Sequence, residues 1–488
     1  MRRRDKVQCA EAAHRSADPA ASRPTPQAGG KEDQGDLVPD RGSRNEQQED
    51  PEHRKDVDRQ HGLNSNGQTS TPYGGRHDSS TRVHAIEAEP EAGSLCYLGR
   101  PGRQEVPVDP VPLLDLRAQL SSIREEVYRA VHGVIESQKF ILGEQVERFE
   151  EEIARFTGVP HAVGCASGTD SLILSLAALD VGPGDRVLTT PFSFFATASS
   201  AYRVGARPVF VDIDPESFNM DPEKVEAALT DRTRALFPVH MFGQCVDMDP
   251  VLEIAERRNL PVVEDAAQAL GASYDSNRAG VRLRAGAMGS LGCYSFFPSK
   301  NLGGYGDGGM VVARDAAMAQ KIRALRVHGE LRGYEHESVG WNSRLDALQA
   351  AVLLVKLPHL DGWSRSRAAN ADRYDRWLSE AGLVESGRVR LPSRTARCDH
   401  IFNQYTLRVE DRDELRGHLE KRGIGHAVYY PAPLHLQPCF AELGHSVGDF
   451  PQAESAARKV ISLPVYPELR ADQQERVVQA VAEFYGKG

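Results

Sequence analysis

Cys293-Tyr294-Ser295-Phe296-Phe297-Pro298-Ser299-Lys300 runs directly into Asn301-Leu302-Gly303-Gly304-Tyr305-Gly306-Asp307-Gly308-Gly309. An apolar, strand-like segment ends on a lysine, and five of the next nine residues are glycine. Glycine lets backbone and ligand approach closely, so a lysine held there can present its amine to a bound group. A lysine after a strand is more often a solvated surface residue, so this segment gains meaning only from its surroundings.

Moving outward, short apolar runs at 186–190, 208–212, 235–239, 261–264, 291–296 and 309–313 read as strands. Helical spacing at 169–179, 196–204, 222–229 and 250–258 fills the gaps between them. Strands alternating with helices predict an α/β fold with a mostly parallel sheet covered on both faces. Two further helices are expected at 116–134 and 145–156, and a long one at 344–357. A smaller α+β region follows from about Trp363, with a strand at 404–409 and a helix at 413–421. The expected division is a large domain over 106–360 and a small C-terminal domain over 361–488.

Residues 1–105 differ in character. Tyr73 and Tyr97 are their only aromatics, and polar, charged, Pro and Gly residues dominate. Such a segment buries too little apolar surface to offset its ordering entropy, and the expectation is disorder. Two explanations compete: a real flexible extension, or translated upstream sequence from a misassigned start, with initiation near Val106. The second is favoured, although no methionine lies between Met1 and Met220.

The whole chain has 40% hydrophobic residues and a formal net charge of −10, with an isoelectric point near 5.9. That balance argues against nonspecific binding to nucleic acid or an anionic membrane. Seven scattered cysteines without CxxC spacing suggest neither a metal centre nor a disulfide framework. A reducing cytoplasm fits this usage. No run reaches the length of a membrane span, and the basic Met1-Arg2-Arg3-Arg4 start lacks the apolar stretch of a secretory signal.

Three other segments bear on chemistry. Val163-Gly164-Cys165-Ala166-Ser167-Gly168-Thr169-Asp170 joins an apolar segment to a helix. Gly168 and Thr169 fall at the helix N-terminus, where free N–H groups and the dipole favour a phosphate, or where a Ser/Thr cap alone would place the same residues. Asp265 ends the strand of Pro261-Val262-Val263-Glu264-Asp265-Ala266-Ala267-Gln268. Binding groups of α/β sheets gather at such carboxyl edges; the alternative is a cap on a helix at 266–270. Phe192, Phe194 and Phe195 follow a strand and offer a flat neighbour for an aromatic ligand, worth about 0.5–1.5 kcal/mol beyond area burial. Pyridoxal phosphate requires such a combination: an amine for its aldehyde and an acid for its pyridine nitrogen.

In this order, the segments resemble the DegT/StrS family of pyridoxal-phosphate sugar aminotransferases. The resemblance runs from about Pro112 to the C-terminus. It also takes in Phe140-Ile141-Leu142-Gly143, Gly340-Trp341-Asn342-Ser343-Arg344-Leu345 and Tyr430-Pro431-Ala432-Pro433-Leu434-His435. It implies the type I aminotransferase fold and a homodimer with active sites at the subunit interface. By this resemblance Lys300 is the Schiff-base lysine, Asp265 the partner of the pyridine nitrogen, and Gln268 the contact to the phenolic oxygen. Phe194 stacks on the ring, while Gly168, Thr169 and Ser295 hold the phosphate with Asn342 of the opposite subunit. Arg344 binds a substrate or donor carboxylate, and His328, Tyr430 and His435 are substrate-side candidates. No metal is implied.

Family members acting on 4-keto sugars commonly carry His at position 268, and many acting on 3-keto sugars or keto-cyclitols carry Gln. Gln268 therefore favours a 3-keto, nucleotide-linked sugar, with L-glutamate as donor, in amino-sugar synthesis for a surface polysaccharide or secondary metabolite. The alternatives are a 4-keto sugar or keto-cyclitol acceptor, a sugar dehydratase, or a non-enzymatic regulator. The dehydratase branch replaces the lysine with histidine, which Lys300 opposes. A regulator that reads DNA would need a helix-turn-helix, and none is recognisable.

Overall fold

The computed structural model describes residues 109–486. The expectations for 1–105 and for a start near Val106 lie outside them. The central sheet uses β1 (His161–Cys165), β2 (Arg186–Thr189), β3 (Arg207–Phe210), β4 (Thr233–Leu236) and β5 (Val263–Asp265). A hairpin of β6 (Ser273–Ser276) and β7 (Val281–Arg284) intervenes before β8 (Leu291–Ser295) and β9 (Gly309–Ala313) complete it. β3, β2 and β4 pair in parallel, as do β5 and β8. Parallel bridges Leu236–Val262 and Val239–Asp265 carry β4 onto β5. β9 runs antiparallel between β8 and β1. The order is β3-β2-β4-β5-β8-β9-β1, and β9 alone of these strands is reversed.

Alternation along the strands explains why both faces are apolar. Val163, Val187, Ala235, Val263, Cys293 and Val311 pack with Leu172, Leu176 and Ile322 from helices Gly168–Ala178 and Ala316–Leu325. Their neighbours Ala162, Leu188, Leu236, Val262, Tyr294 and Val312 pack on the other face. There they meet Phe149 and Ile153, Val251 and Ile254, and Leu353, carried by helices Glu144–Thr157, Met248–Arg258 and Ala347–Lys356. Phe296 meets Phe149 edge-on at 5.1 Å between ring centroids. Truncating a phenylalanine buried this way costs about 3–5 kcal/mol.

The expected strands and helices of this layer are present within a few residues, with three corrections. The expected helix at 266–270 is a run of turns, bonded Ala269 N–H to Ala266 O and Ala272 N–H to Ala269 O, each at 2.9 Å. β6 begins at Ser273, too soon for a helix to form. The helix expected at 344–357 starts at Ala347, because the Asp346 side chain caps it by accepting from Gln349 N–H at 2.8 Å. Arg344 therefore lies outside the helix, on irregular chain. The 222–229 segment divides into a 3₁₀ turn, Pro222–Lys224, and a single helical turn, Val225–Ala228.

A short hairpin, β10 (Glu330–Arg332) and β11 (Glu335–His336), precedes the C-terminal region. One helix, Leu360–Glu380, runs unbroken through Trp363, so the chain shows no change of element there. β12 (Val389–Arg390), β13 (Tyr405–Val409) and β14 (Val460–Leu463) form an antiparallel sheet over a second core that includes Tyr374, Leu407, Leu415 and Val477. Val111 joins that core and bridges Ile424. Asp212, just after β3, accepts from Gln452 and Ala453 N–H at 3.0 and 2.9 Å, capping helix Pro451–Lys459. Among the described residues no helix is long and apolar enough to cross a membrane, and no acidic, His or Cys cluster suits a metal ion.

Candidate active site

The carboxyl ends of β1, β2, β4, β5 and β8 share one edge of the sheet, where parallel α/β sheets collect ligands. Lys300 follows β8 on a tight turn: its N–H donates to Phe297 O at 2.9 Å, and Gly304 N–H donates to Phe296 O at 2.8 Å. A Cβ on Gly303 would collide with the Pro298 carbonyl, so the turn closes only with glycine there. Burial lowers the half-buried Lys300 amine to about 8, opposed by the charge of Asp265. An amine in that range has an appreciable unprotonated fraction near neutrality, as a nucleophile requires.

Asp265 is buried. Its Oδ2 accepts from the Thr197 hydroxyl at 2.7 Å, and Oδ1 from Ala267 N–H at 3.2 Å. Burial raises its pKa, against these two bonds and the Lys300 charge. Successive strand residues face opposite ways, and Glu264 points beneath the sheet. There its carboxylate accepts from His240 Nε2 at 2.8 Å and from Gly286, Met288 and Gly289 N–H at 2.8, 2.6 and 2.5 Å. His240 Nδ1 accepts from Val246 N–H at 3.1 Å, which places the proton on Nε2. Glu264 and His240 thus fix the end of β5. Neither residue is marked for this part by its local sequence, although two adjacent acids on one strand cannot both face a ligand. Thr197 was missed for want of any local signal.

At the end of β1, Ser167 caps helix Gly168–Ala178 by accepting from Asp170 N–H at 3.0 Å. The N–H groups of the first turn have no acceptor within their helix. A Cβ on Gly168 would lie 2.5 Å from Ser295 Cβ, so this helix start sits directly against the end of β8. The 342–344 segment folds over the same loop: Ser343 Oγ donates to Asp170 Oδ2 at 2.8 Å. Asn342 is exposed and Arg344 half-buried. His328, also exposed, adopts a left-handed φ of 66° beside the Val327–Asn342 bridge.

Phe194 is 56% exposed. Its ring lies 6.1 Å from that of Tyr430. Gln268 joins this wall to the acid edge: Oε1 accepts from Phe242 N–H at 2.7 Å, and Nε2 donates to the Tyr430 hydroxyl at 3.0 Å. Burial raises the Tyr430 pKa, keeping the phenol protonated. Phe192 is fully buried and Phe195 stacks on Phe440 at 5.4 Å, so both serve packing. His435 is not brought into the open pocket. It is 2% exposed, enclosed between Glu454 Oε1 at 3.2 Å and the Phe450 ring at 4.7 Å.

The DegT/DnrJ/EryC1/StrS aminotransferase family matches residues 121–482. A protein of Geobacillus stearothermophilus, named a pleiotropic regulatory protein, is 49% identical over 77% of this chain and 98% of its own length. The UDP-N-acetyl-3-dehydro-alpha-D-glucosamine 3-aminotransferase of Acidithiobacillus ferrooxidans is 43% identical over 76% of this chain and 97% of its own. The crystal structure of S. venezuelae DesV in complex with a ketimine intermediate superimposes with a TM-score of 0.73 at 43% identity, covering 77% of this chain and 98% of that one. On the extent of that match and the near-complete coverage of these relatives, the chain belongs to the DegT/DnrJ/EryC1/StrS aminotransferase family.

Proposed function

We propose that this protein transfers an amino group from L-glutamate to a 3-keto sugar carried by a nucleotide, with pyridoxal 5′-phosphate as cofactor. The observation that carries this reading is the Lys300 amine, lowered to about 8, set against buried Asp265 at one sheet edge. The residues fit the cofactor: a helix start pressed against Ser295, an exposed aromatic at Phe194, and an acid beside an amine. Gly168, Thr169 and Ser295 would hold the phosphate, with Asn342 of the opposite subunit of a homodimer. Asp265 would meet the pyridine nitrogen, Gln268 the phenolic oxygen, and Phe194 the ring face. The cofactor supplies an aldehyde and an electron-accepting ring. Lys300 removes the proton from the donor α-carbon and returns one to the sugar carbon that receives the amine.

Arg344, His328 and Tyr430 are the substrate-side candidates. His435, enclosed against Glu454, would act only by holding the Tyr430–Leu434 segment. The 3-keto acceptor is supported by Gln268 and by the name of the A. ferrooxidans relative. The proposed division is a large cofactor-binding domain and a small C-terminal domain that meet near residue 360, which the two separate sheets support. The test is an amino-transfer screen of purified protein with pyridoxal phosphate and glutamate against 3-keto and 4-keto nucleotide sugars and a keto-cyclitol. Formation of 2-oxoglutarate with the 3-keto sugars supports the reading. Transfer to a 4-keto sugar alone would overturn the acceptor, and none at all would favour the regulatory role named for the G. stearothermophilus relative.

A further inference from the structure

Asn403 lies just before β13, in the C-terminal region and 102 positions from Asn301, yet its Nδ2 donates to Asn301 Oδ1 at 3.1 Å. Asn301 directly follows Lys300, and its own Nδ2 donates to Ile401 O at 3.1 Å. Both asparagines are buried, at 5% and 6% exposure. The amide orientations follow from chemistry: the Ile401 carbonyl only accepts, so Asn301 presents its oxygen to Asn403, which must donate. The same loop grips the other side of the pocket. Ile401 N–H donates to Gly243 O at 3.0 Å, and Asn403 N–H to Phe242 O at 2.9 Å. Phe242 in turn gives its N–H to Gln268 Oε1.

Phe242 and Phe402 both hold left-handed φ angles, 57° and 47°. Non-glycine residues stay there only when surrounding contacts over-determine them. From helix Leu360–Glu380, Arg367 Nη1 supplies part of that restraint by donating to Phe402 O at 3.1 Å. One three-residue loop is therefore bonded to the residue after Lys300 and to the turn that fixes Gln268.

We propose that Asn403 is a positioning residue that sets the Lys300 turn and the Gln268 amide relative to one another, a proposal resting on the reading of both as cofactor residues. Its side-chain amide meets the Lys300 turn through Asn301. Binding groups for one ligand must be held within fractions of an ångström of productive geometry, and this loop is a physical connection between the two sides.

The test uses the full-length protein carrying Asn403→Leu, which keeps the shape and removes the amide, together with Asn301→Leu and the double variant. Hydrogen exchange should quicken about tenfold at the Lys300, Gly304 and Phe242 amides, the loss expected when a buried hydrogen bond is removed. Amides of β2 and β3 should stay within about twofold of wild type. In turnover, kcat should fall about tenfold with the glutamate KM within about twofold. The double variant should match Asn301→Leu, because that substitution already removes the bond the two residues share. Unchanged exchange at those three amides, a uniform rise along the chain, additive losses, or an unaltered kcat would each overturn the proposal. If wild-type protein aminates no acceptor, the functional reading fails by itself, and the exchange results alone decide whether the loop links the two turns.

Discussion

Thr197 donates its hydroxyl hydrogen to Oδ2 of Asp265 across 2.7 Å, and Ser193 completes the chain by meeting the Thr197 oxygen at 2.7 Å. Because Thr197 donates to the carboxylate, Ser193 must be the donor to Thr197. The acid of the pocket is thus held by the first turn of the helix that follows the Phe194 wall. Burial drives Asp265 toward the neutral form and this bond drives it back.

Thr197→Val removes the donor and keeps the shape. Asp265 should titrate higher still, since the lost bond favoured its ionised form. A carboxyl raised in the fold contributes stability below its unfolded pKa and loses it as pH rises through the folded value. The variant should therefore match wild type in acid and fall behind by about 1–3 kcal/mol as pH rises through the raised Asp265 titration. Thermal unfolding across pH 3–8 checks this; a gap independent of pH would mean that the hydroxyl does not act on Asp265.

Lys300→Met should abolish amino transfer and covalent attachment of the cofactor. It should also stabilise the cofactor-free fold at neutral pH. The folded amine titrates near 8, below its ordinary 10.5. A depressed pKa contributes stability above the unfolded value and loses it as pH falls through the folded one. At pH 7 the wild-type fold holds an unfavourable charge that methionine lacks, a difference on the order of 3 kcal/mol. The advantage should shrink between pH 8 and 10.5. Unfolding curves that keep the same gap at pH 7 and 10.5 would contradict the buried amine.

Six of the seven strands of the central sheet were legible, because a mostly parallel sheet covered on both faces needs continuous apolar runs; β1 read only as an apolar segment leading into the Gly168 loop. Lys300, Asp265 and Gln268 were legible as candidates because each stands at a strand end or within five residues beyond it. The contacts that set their chemistry were not. Thr197 lies 68 positions from Asp265, and Tyr430 lies 162 positions from Gln268. No local periodicity encodes such pairs. The turns at 266–270 were mistaken for a helix because Ala-Ala-Gln-Ala-Leu has good helix propensity, which the early start of β6 overrides. His435 looked like a site residue by its motif, whereas its surroundings are Glu454 and Phe450.

Gln268→Glu separates shape from chemistry. A carboxylate can still accept from Phe242 N–H, and its second oxygen can accept from the Tyr430 hydroxyl, which reverses as donor. Folding should be close to wild type. The variant loses the only amide donor of that side chain and adds a negative charge beside Asp265, where the cofactor's phenolic oxygen is proposed to lie. Turnover should drop by about a hundredfold or more, as for loss of one preorganised donor. A fully active Gln268→Glu enzyme would remove Gln268 from the cofactor contacts.

Asn342 poses a question of subunits. Its neighbour Ser343 donates to Asp170 of its own chain at 2.8 Å, while the Asn342 side chain is exposed and is proposed to serve the opposite site. Asn342→Ala and Lys300→Met decide between the two. A bound phosphate carries nearly two negative charges and needs donors from every side, so the asparagine variant should retain cofactor poorly. The lysine variant should be inactive. If Asn342 crosses the interface, a mixed dimer has one site bearing both lesions and one bearing neither, and mixing restores activity well above either parent. If Asn342 serves its own chain, each site of the mixed dimer keeps one lesion and nothing is regained. Tagged subunits, co-purified so that heterodimers are verified, make the comparison direct. Heterodimers no more active than the better parent would place Asn342 in the site of its own chain.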